Sequence, residues 1–185
     1  MDFILNIDRW LFHLLNGQLV NSIFDRFFPF ITLQSNWLLL YVILSIWLIW
    51  KGGKRGRIAI LVLVLTIIVS DQMSSNFLKH LIERIRPCND YISVRLLINC
   101  GPGFSFPSSH AVNSFAAAVI LSHFYKGNRV LFYSIAALVA YSRVYVGVHY
   151  PLDILGGALL GIIIALLIVT VYEFLSSKFK VISVQ

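Results

Sequence analysis

Two histidines, three cations and an aspartate stand at short spacings beside long apolar runs, and together they could move a phosphoryl group. The densest stretch, residues 142–153, holds Arg143, His149 and Asp153 between two runs that are almost wholly apolar. Ionisable groups at a membrane boundary are costly, so function is the default reading. Pro151 suits the first position of a helix, which puts Asp153 in the first turn. A carboxylate there is favoured by the helix dipole and can reach back to His149. Taken alone, the stretch would equally fit a helix-start acid beside an interfacial histidine.

Two further clusters change that balance. One is Lys79 with Arg86-Pro87, flanked by Arg84 and Arg95; the other is Pro107-Ser108-Ser109-His110. Lys79 and Arg86 could be boundary cations whose stems lie in the bilayer, and Ser108 fits an N-cap. A capped helix start at 108–110 also aims backbone N–H groups outward, which makes an anion site. Fixed cations, two histidines and a carboxylate to orient one of them suit phosphoryl transfer, where the protein mainly positions and neutralises an anion. His110, His149 and Asp153 would also fit a two-histidine, one-carboxylate metal site. Three nearby fixed cations oppose a divalent ion, so no metal is expected.

The patterns K-x6-R-P, P-S-S-H and S-R-x5-H-x3-D, in this order between apolar spans, resemble the three signature motifs of the type 2 phosphatidic acid phosphatase family over roughly residues 58–175. Ser109 departs from that pattern, which usually has glycine; a serine keeps the backbone N–H, and its side chain is expected to narrow the phosphate pocket. The resemblance implies that His149 is the nucleophile and forms a phosphohistidine. It gives Asp153 the tautomer-holding role, and His110 the protonation of the leaving oxygen and activation of water. Lys79, Arg86, Arg143, Ser108 and the N–H of Ser109 would bind the phosphoryl oxygens, with no cofactor. The expected partner is a membrane lipid phosphate or diphosphate: undecaprenyl diphosphate, phosphatidylglycerol phosphate, phosphatidate or the 1-phosphate of lipid A. Two other outcomes use the same surface: transfer of the phosphoryl group to an acceptor lipid, or plain binding of anionic lipids. A binder has no need of His110, His149 and Asp153 together.

The elements that must carry these residues are membrane helices. Of 185 residues, 58% are hydrophobic and 12% charged, and the mean hydropathy is +0.82. A soluble domain averages about a quarter charged residues, so one integral membrane domain is expected over 1–185. The fold class is an all-α polytopic bundle of five to six transmembrane helices with an N-terminal interfacial helix. Residues 3–15 form that helix, with Asp8 and Arg9 on its polar side. Residues 19–33 are a short apolar segment interrupted by Asp25, Arg26 and Pro29. Spans follow at 37–50, 58–78, 108–125, 130–147 and 154–172.

The net charge of +7 does not form a nucleic-acid stripe. Its basic residues gather between spans, at 51–57 and 126–129 and at Lys178 and Lys180. That side is expected to be cytoplasmic, leaving the 79–107 loop and the 143–153 turn outside a bacterial inner membrane, on the periplasmic face. Cys88 and Cys100 both lie in the outward loop and are expected to pair there, closing a loop worth about 3 kcal/mol. Asp71, Ser75 and Lys79 share a face at helical spacing, so Asp71 either tunes Lys79 or satisfies a neighbouring helix. Asn113, one turn inside His110, either orients it or joins two helices. Gly157 and Gly161 suit close packing within the bundle. His13, His80 and His123 read as interfacial.

Overall fold

The computed structural model describes residues 2–90 and 93–180, and these are helices and loops without a strand. The side chain of Lys180, counted above among the basic residues, lies outside the described part. Helix α1 is Asp2–His13, α2 Ser22–Thr32, α3 Leu38–Lys51 and α4 Gly53–Asp71. The chain winds on as a π-helix, Gln72–Leu78, into the short α5, Lys79–Ile82. After a loop come α6 Ser109–Phe124, α7 Arg129–Tyr145 and α8 Pro151–Lys180.

Helix α6 is the centre, packed against α4, α7 and α8. Half of its buried residues are small, Ala111, Ala116, Ala118 and Ser122, set beside Val112, Val119, Ile120 and Phe124. Lipid tails are as apolar as these side chains, so close van der Waals fit rather than water release holds the helices together. Gly157 and Gly161 of α8 carry that fit. A Cβ on Gly161 would stand 2.2 Å from the Val112 carbonyl oxygen, and one on Gly157 2.8 Å from that of Ser108.

Two stretches, Gly53–Asn89 and Pro151–Lys178, are long and apolar enough to cross a membrane, and α3 is a shorter apolar helix. Most of α3 is exposed, including Leu38, Leu39, Ile43, Ile46 and Trp47. The expected span starts need correction. Helix α4 begins at Gly53 rather than at 58, so Lys54, Arg55 and Arg57 ride on its first turns. Gly53 has a φ of +59°, which a glycine adopts without strain and which lets α3 turn straight into α4. Helix α2 has 11 residues, about 16 Å at 1.5 Å per residue, well short of a hydrocarbon core of roughly 30 Å.

The two ends of the bundle differ in chemistry. At one end the Arg55 guanidinium lies 4.9 Å from the ring centre of Tyr125, which brings the basic turns at 51–57 and 126–129 together. At the other end α1, α2, the 83–107 loop and the 146–150 turn close over the starts of α6 and α8. Asn16, just past α1, ties that loop to the end of α7: its amide donates to the carbonyls of Arg95 and Tyr145 at 2.9 and 2.8 Å, and its oxygen accepts from Arg95 N–H at 2.9 Å. A disulfide joins Cys88 to Cys100 within the same cap, with Cα atoms 6.0 Å apart.

Helix α1 departs from the expected surface helix. The large apolar residues Phe3, Ile4, Ile7 and Trp10 are exposed along with Asn6 and Arg9, while Asp8 is only 1% exposed. The carboxylate turns inward because a cation waits for it there.

Candidate active site

Pro151 opens α8, as its ring requires, and Asp153 lies in the first turn. The preceding turn is fixed by Gly147, whose φ is +88° and whose Cβ position would lie 2.7 Å from the Arg95 carbonyl. This turn carries His149 back over the helix start. Its Nδ1 stands 3.4 Å from Asp153 Oδ2. A carboxylate only accepts, so Nδ1 holds the proton and Nε2 keeps its lone pair. Asp153 is itself held at several points. The Tyr150 N–H donates to Oδ2 at 2.8 Å, and the Ser105 hydroxyl donates to the same oxygen. Ser105 Oγ also lies 3.4 Å from His149 Nδ1. Burial pushes the His149 imidazole down to about 4 against the pull of Asp153, and the charges of Arg143 and Arg86 act in the same sense as burial.

The other oxygen of Asp153 accepts from Arg84 Nη1 at 2.7 Å. Arg84 Nη2 donates to Asp8 Oδ2, and Asp8 Oδ1 accepts from the Leu152 N–H at 2.8 Å. The guanidinium lies 4.2 Å from the centre of the Tyr150 ring. Arg84 therefore sits between two buried carboxylates, one from each end of the chain.

Lys79, Arg86 and Arg143 come from three elements and act on one another electrostatically. Lys79 Nζ donates to the Phe104 carbonyl at 3.0 Å. Three of the five N–H groups of Arg86 hold the carbonyls of Cys100, Pro102 and Gly103, at 3.0, 3.3 and 3.1 Å. Lysine has no such planar fork, so the position suits arginine. Arg143 is buried; Nη1 donates to Thr32 Oγ1 at 2.7 Å, and Nε meets no hydrogen-bond partner among the described residues. Ser108 stands at the N-cap of α6, yet its hydroxyl makes no cap bond and has no other partner among those residues. Two buried donors uncommitted beside a cation cluster fit an anion. His110 lies within electrostatic reach of Arg143, His149 and Lys79, with Nε2 3.2 Å from the Thr32 carbonyl oxygen.

The remaining residues resolve differently. The Ser109 hydroxyl turns toward α4's extension, 3.0 Å from Ser75 Oγ and 3.4 Å from Ser74 Oγ. The Ser109 side chain thus makes a contact between helices. Asp71 accepts from Ser75 at 3.3 Å and from the Asn113 amide at 3.4 Å, so both residues join α4 to α6. Arg95 leaves the cluster to pair with Asp25. His123 faces Glu173 at 3.7 Å, and His80 Nδ1 lies 3.2 Å from the Asn76 carbonyl oxygen. Sequence reasoning missed Asp8, Thr32 and Ser105 as site partners and treated Arg84 as a bystander. Only Asp8 carried a signal, being a carboxylate in an apolar helical run.

Residues 58–176 match the PAP2 superfamily. The chain is 30% identical over 186 residues to a lipid A 4'-phosphatase of Porphyromonas gingivalis, covering 96% of this chain and 78% of that protein. A lipid A 4'-phosphatase of Bacteroides thetaiotaomicron is 32% identical over 169 residues, 87% of this chain and 75% of that one. Among solved structures, Aquifex aeolicus LpxE resembles the fold with a TM-score of 0.70 at 28% identity, over 89% of this chain and 95% of that chain.

Proposed function

The chain belongs to the PAP2 superfamily and is a membrane lipid phosphatase, and from that premise we propose that it removes the 4'-phosphate of a lipid A-type glycolipid through a phosphohistidine. The observation that carries the mechanism is the His149–Asp153 pair set among Lys79, Arg86 and Arg143. The substrate reading rests on the two lipid A 4'-phosphatases, which align with most of the chain.

The phosphoryl oxygens are bound by Lys79, Arg86, Arg143, the Ser108 hydroxyl and the N–H of Ser109. His149 Nε2 attacks phosphorus in line. A P–N bond forms, the P–O bond to the sugar breaks, and His110 gives its proton to the leaving oxygen. A sugar alkoxide leaves poorly, so that proton contributes about 10²- to 10⁴-fold. Asp153 balances the positive charge that forms on His149. His110 then takes a proton from water, the water oxygen bonds to phosphorus, the P–N bond breaks and phosphate departs. The cations supply the charge that a metal would otherwise bring.

The chain is one membrane domain with five crossings, α3, α4 with its extension through α5, α6, α7 and α8. Helices α1 and α2 lie at the outer boundary. The basic residues at the far end support an inner membrane setting with the site facing outward, and the disulfide beside the site supports an oxidising face.

The test is phosphate release by the purified protein in detergent with EDTA. The panel contains lipid A carrying only a 4'-phosphate or only a 1-phosphate, undecaprenyl diphosphate, phosphatidylglycerol phosphate and phosphatidate, with His149→Ala alongside. We expect EDTA-resistant release that is fastest from the 4'-phosphate and lost in the variant. Preference for another lipid would overturn the substrate, and release abolished by EDTA would overturn the mechanism.

A further inference from the structure

Asp153 has to leave a negative charge for His149, yet a guanidinium stands directly on it. Were Arg84 alone there, the two charges would cancel. The positive charge created on His149 by phosphorylation would then meet no net counter-charge. Asp8 alters the sum, because carboxylate, guanidinium and carboxylate carry one net negative charge between them. Asp8 and Asp153 are both buried, at 1% and 0% exposure, so water screens these charges little.

We propose that Asp8 is a positioning and charge-balancing residue for the catalytic pair: it occupies Arg84, so that Asp153 keeps its negative charge directed at His149. The inference rests on the phosphohistidine reading above and adds a residue outside the stretch 58–176 that carries the family match. Two further contacts support it. Asp8 Oδ1 accepts from Leu152 N–H, so the same side chain steadies the first turn that holds Asp153. Arg84 is pinned against the Tyr150 ring, which keeps its fork aimed at both carboxylates. Helix α1 turns Phe3, Ile4, Ile7 and Trp10 outward and this one carboxylate inward. Burying a carboxylate is costly without a charged partner, and Arg84 is that partner.

The experiment uses the full chain and the lipid phosphate of the panel above that is released fastest. Asp8→Asn keeps the shape and the oxygen that accepts from Leu152, removing only the charge. We expect kcat to fall about 10- to 100-fold with KM within about twofold. The acid limb of kcat/KM should move to lower pH, since an uncompensated Arg84 disfavours protonated His149. Arg84→Gln should move that limb to higher pH. The other groups acting on His149 and Asp153 are unchanged in both variants: Arg143 from α7, Arg86 and Ser105 from the loop, His110 from α6 and Lys79 from α5. The double variant restores the charge sum and should recover most of the lost kcat.

A double variant no better than Asp8→Asn, or two acid limbs displaced in the same direction, would overturn the proposal. Should Asp8→Asn fail to give monodisperse protein, Arg84→Gln decides alone: an acid limb displaced upward supports the proposal, and one unmoved or displaced downward overturns it. Unchanged kinetics in Asp8→Asn beside an inactive His149→Ala would remove this inference and leave the mechanism standing. An active His149→Ala would remove both.

Discussion

The hydroxyl of Thr32 accepts a 2.7 Å hydrogen bond from Nη1 of Arg143, 111 positions further along the chain. The carbonyl oxygen of the same residue lies 3.2 Å from His110 Nε2. The last residue of the short α2 thus grips one group from each of two motifs.

Thr32→Val keeps the volume and removes the acceptor, leaving a buried guanidinium short of another partner. Stability should drop by about 1–3 kcal/mol, and KM should rise about tenfold as Arg143 loses its aim. Thr32→Ser should restore both. Thermal unfolding and phosphate-release kinetics measure the two effects, and an unchanged KM in the valine variant would show that Arg143 needs no such guide.

Ser108→Ala separates a cap from a ligand. A capping serine is worth about 1 kcal/mol, but this hydroxyl makes no cap bond. We expect unfolding to shift little while KM for the lipid phosphate rises several-fold. A loss of stability with KM unchanged would return the residue to a capping role.

His149 sets a pH dependence with a definite sign. Its ordinary value is near 6.5 and burial takes it to about 4. The unfolded chain therefore binds a proton across that window before the folded one does. The stabilisation is complete above about pH 6.5 and is lost as pH falls toward 4, with a total on the order of 3 kcal/mol. Denaturation midpoints at pH 7, 5 and 4 measure it in wild type and in His149→Gln, where the same slope in both would assign it elsewhere. The nucleophile itself should impose no acid limb on kcat/KM until close to pH 4.

Reduction should loosen the loop that Arg86 holds. The disulfide closes residues 88–100, and Arg86 bonds the carbonyl of Cys100. Cys88→Ser with Cys100→Ser should lower stability by about 3 kcal/mol and raise KM, because Arg86 then orders its own loop. Thermal unfolding with and without reductant, read beside that variant, checks this; a wild type indifferent to reductant would contradict it.

The site was legible where several residues share one local pattern. Pro151, Asp153 and His149 obey helix-start geometry, and the two glycines at 157 and 161 read directly as packing positions. What stayed hidden depends on distance through space. Thr32 and Ser105 are single polar residues whose neighbours in sequence say nothing of Arg143 or Asp153. Asp8 was placed on the polar side of a surface helix, because the periodicity of α1 reports amphipathicity and not which face turns inward. The relation of Asp71 to Lys79 was read at a regular helical spacing; Gln72–Leu78 winds as a π-helix instead, and Asp71 still acts on the Lys79 charge while bonding Ser75 and Asn113. Helix α2 is rich enough in apolar residues to leave its crossing open in the sequence, and Asn21, accepting from the N–H groups of Ile23 and Phe24, starts it later than the apolar run, at Ser22.

The position of α1 and α2 over the site separates two meanings of the word domain. Residues 58–176 are the part that the family match covers, and they contain every motif. Asp8 and Thr32 lie ahead of that part, yet they hold Arg84, Arg143 and His110. A protein trimmed to that segment would keep the reacting atoms and discard the hands that hold them. Transplanting the motifs onto another bundle would therefore move the chemistry only if two helical end segments travelled with them.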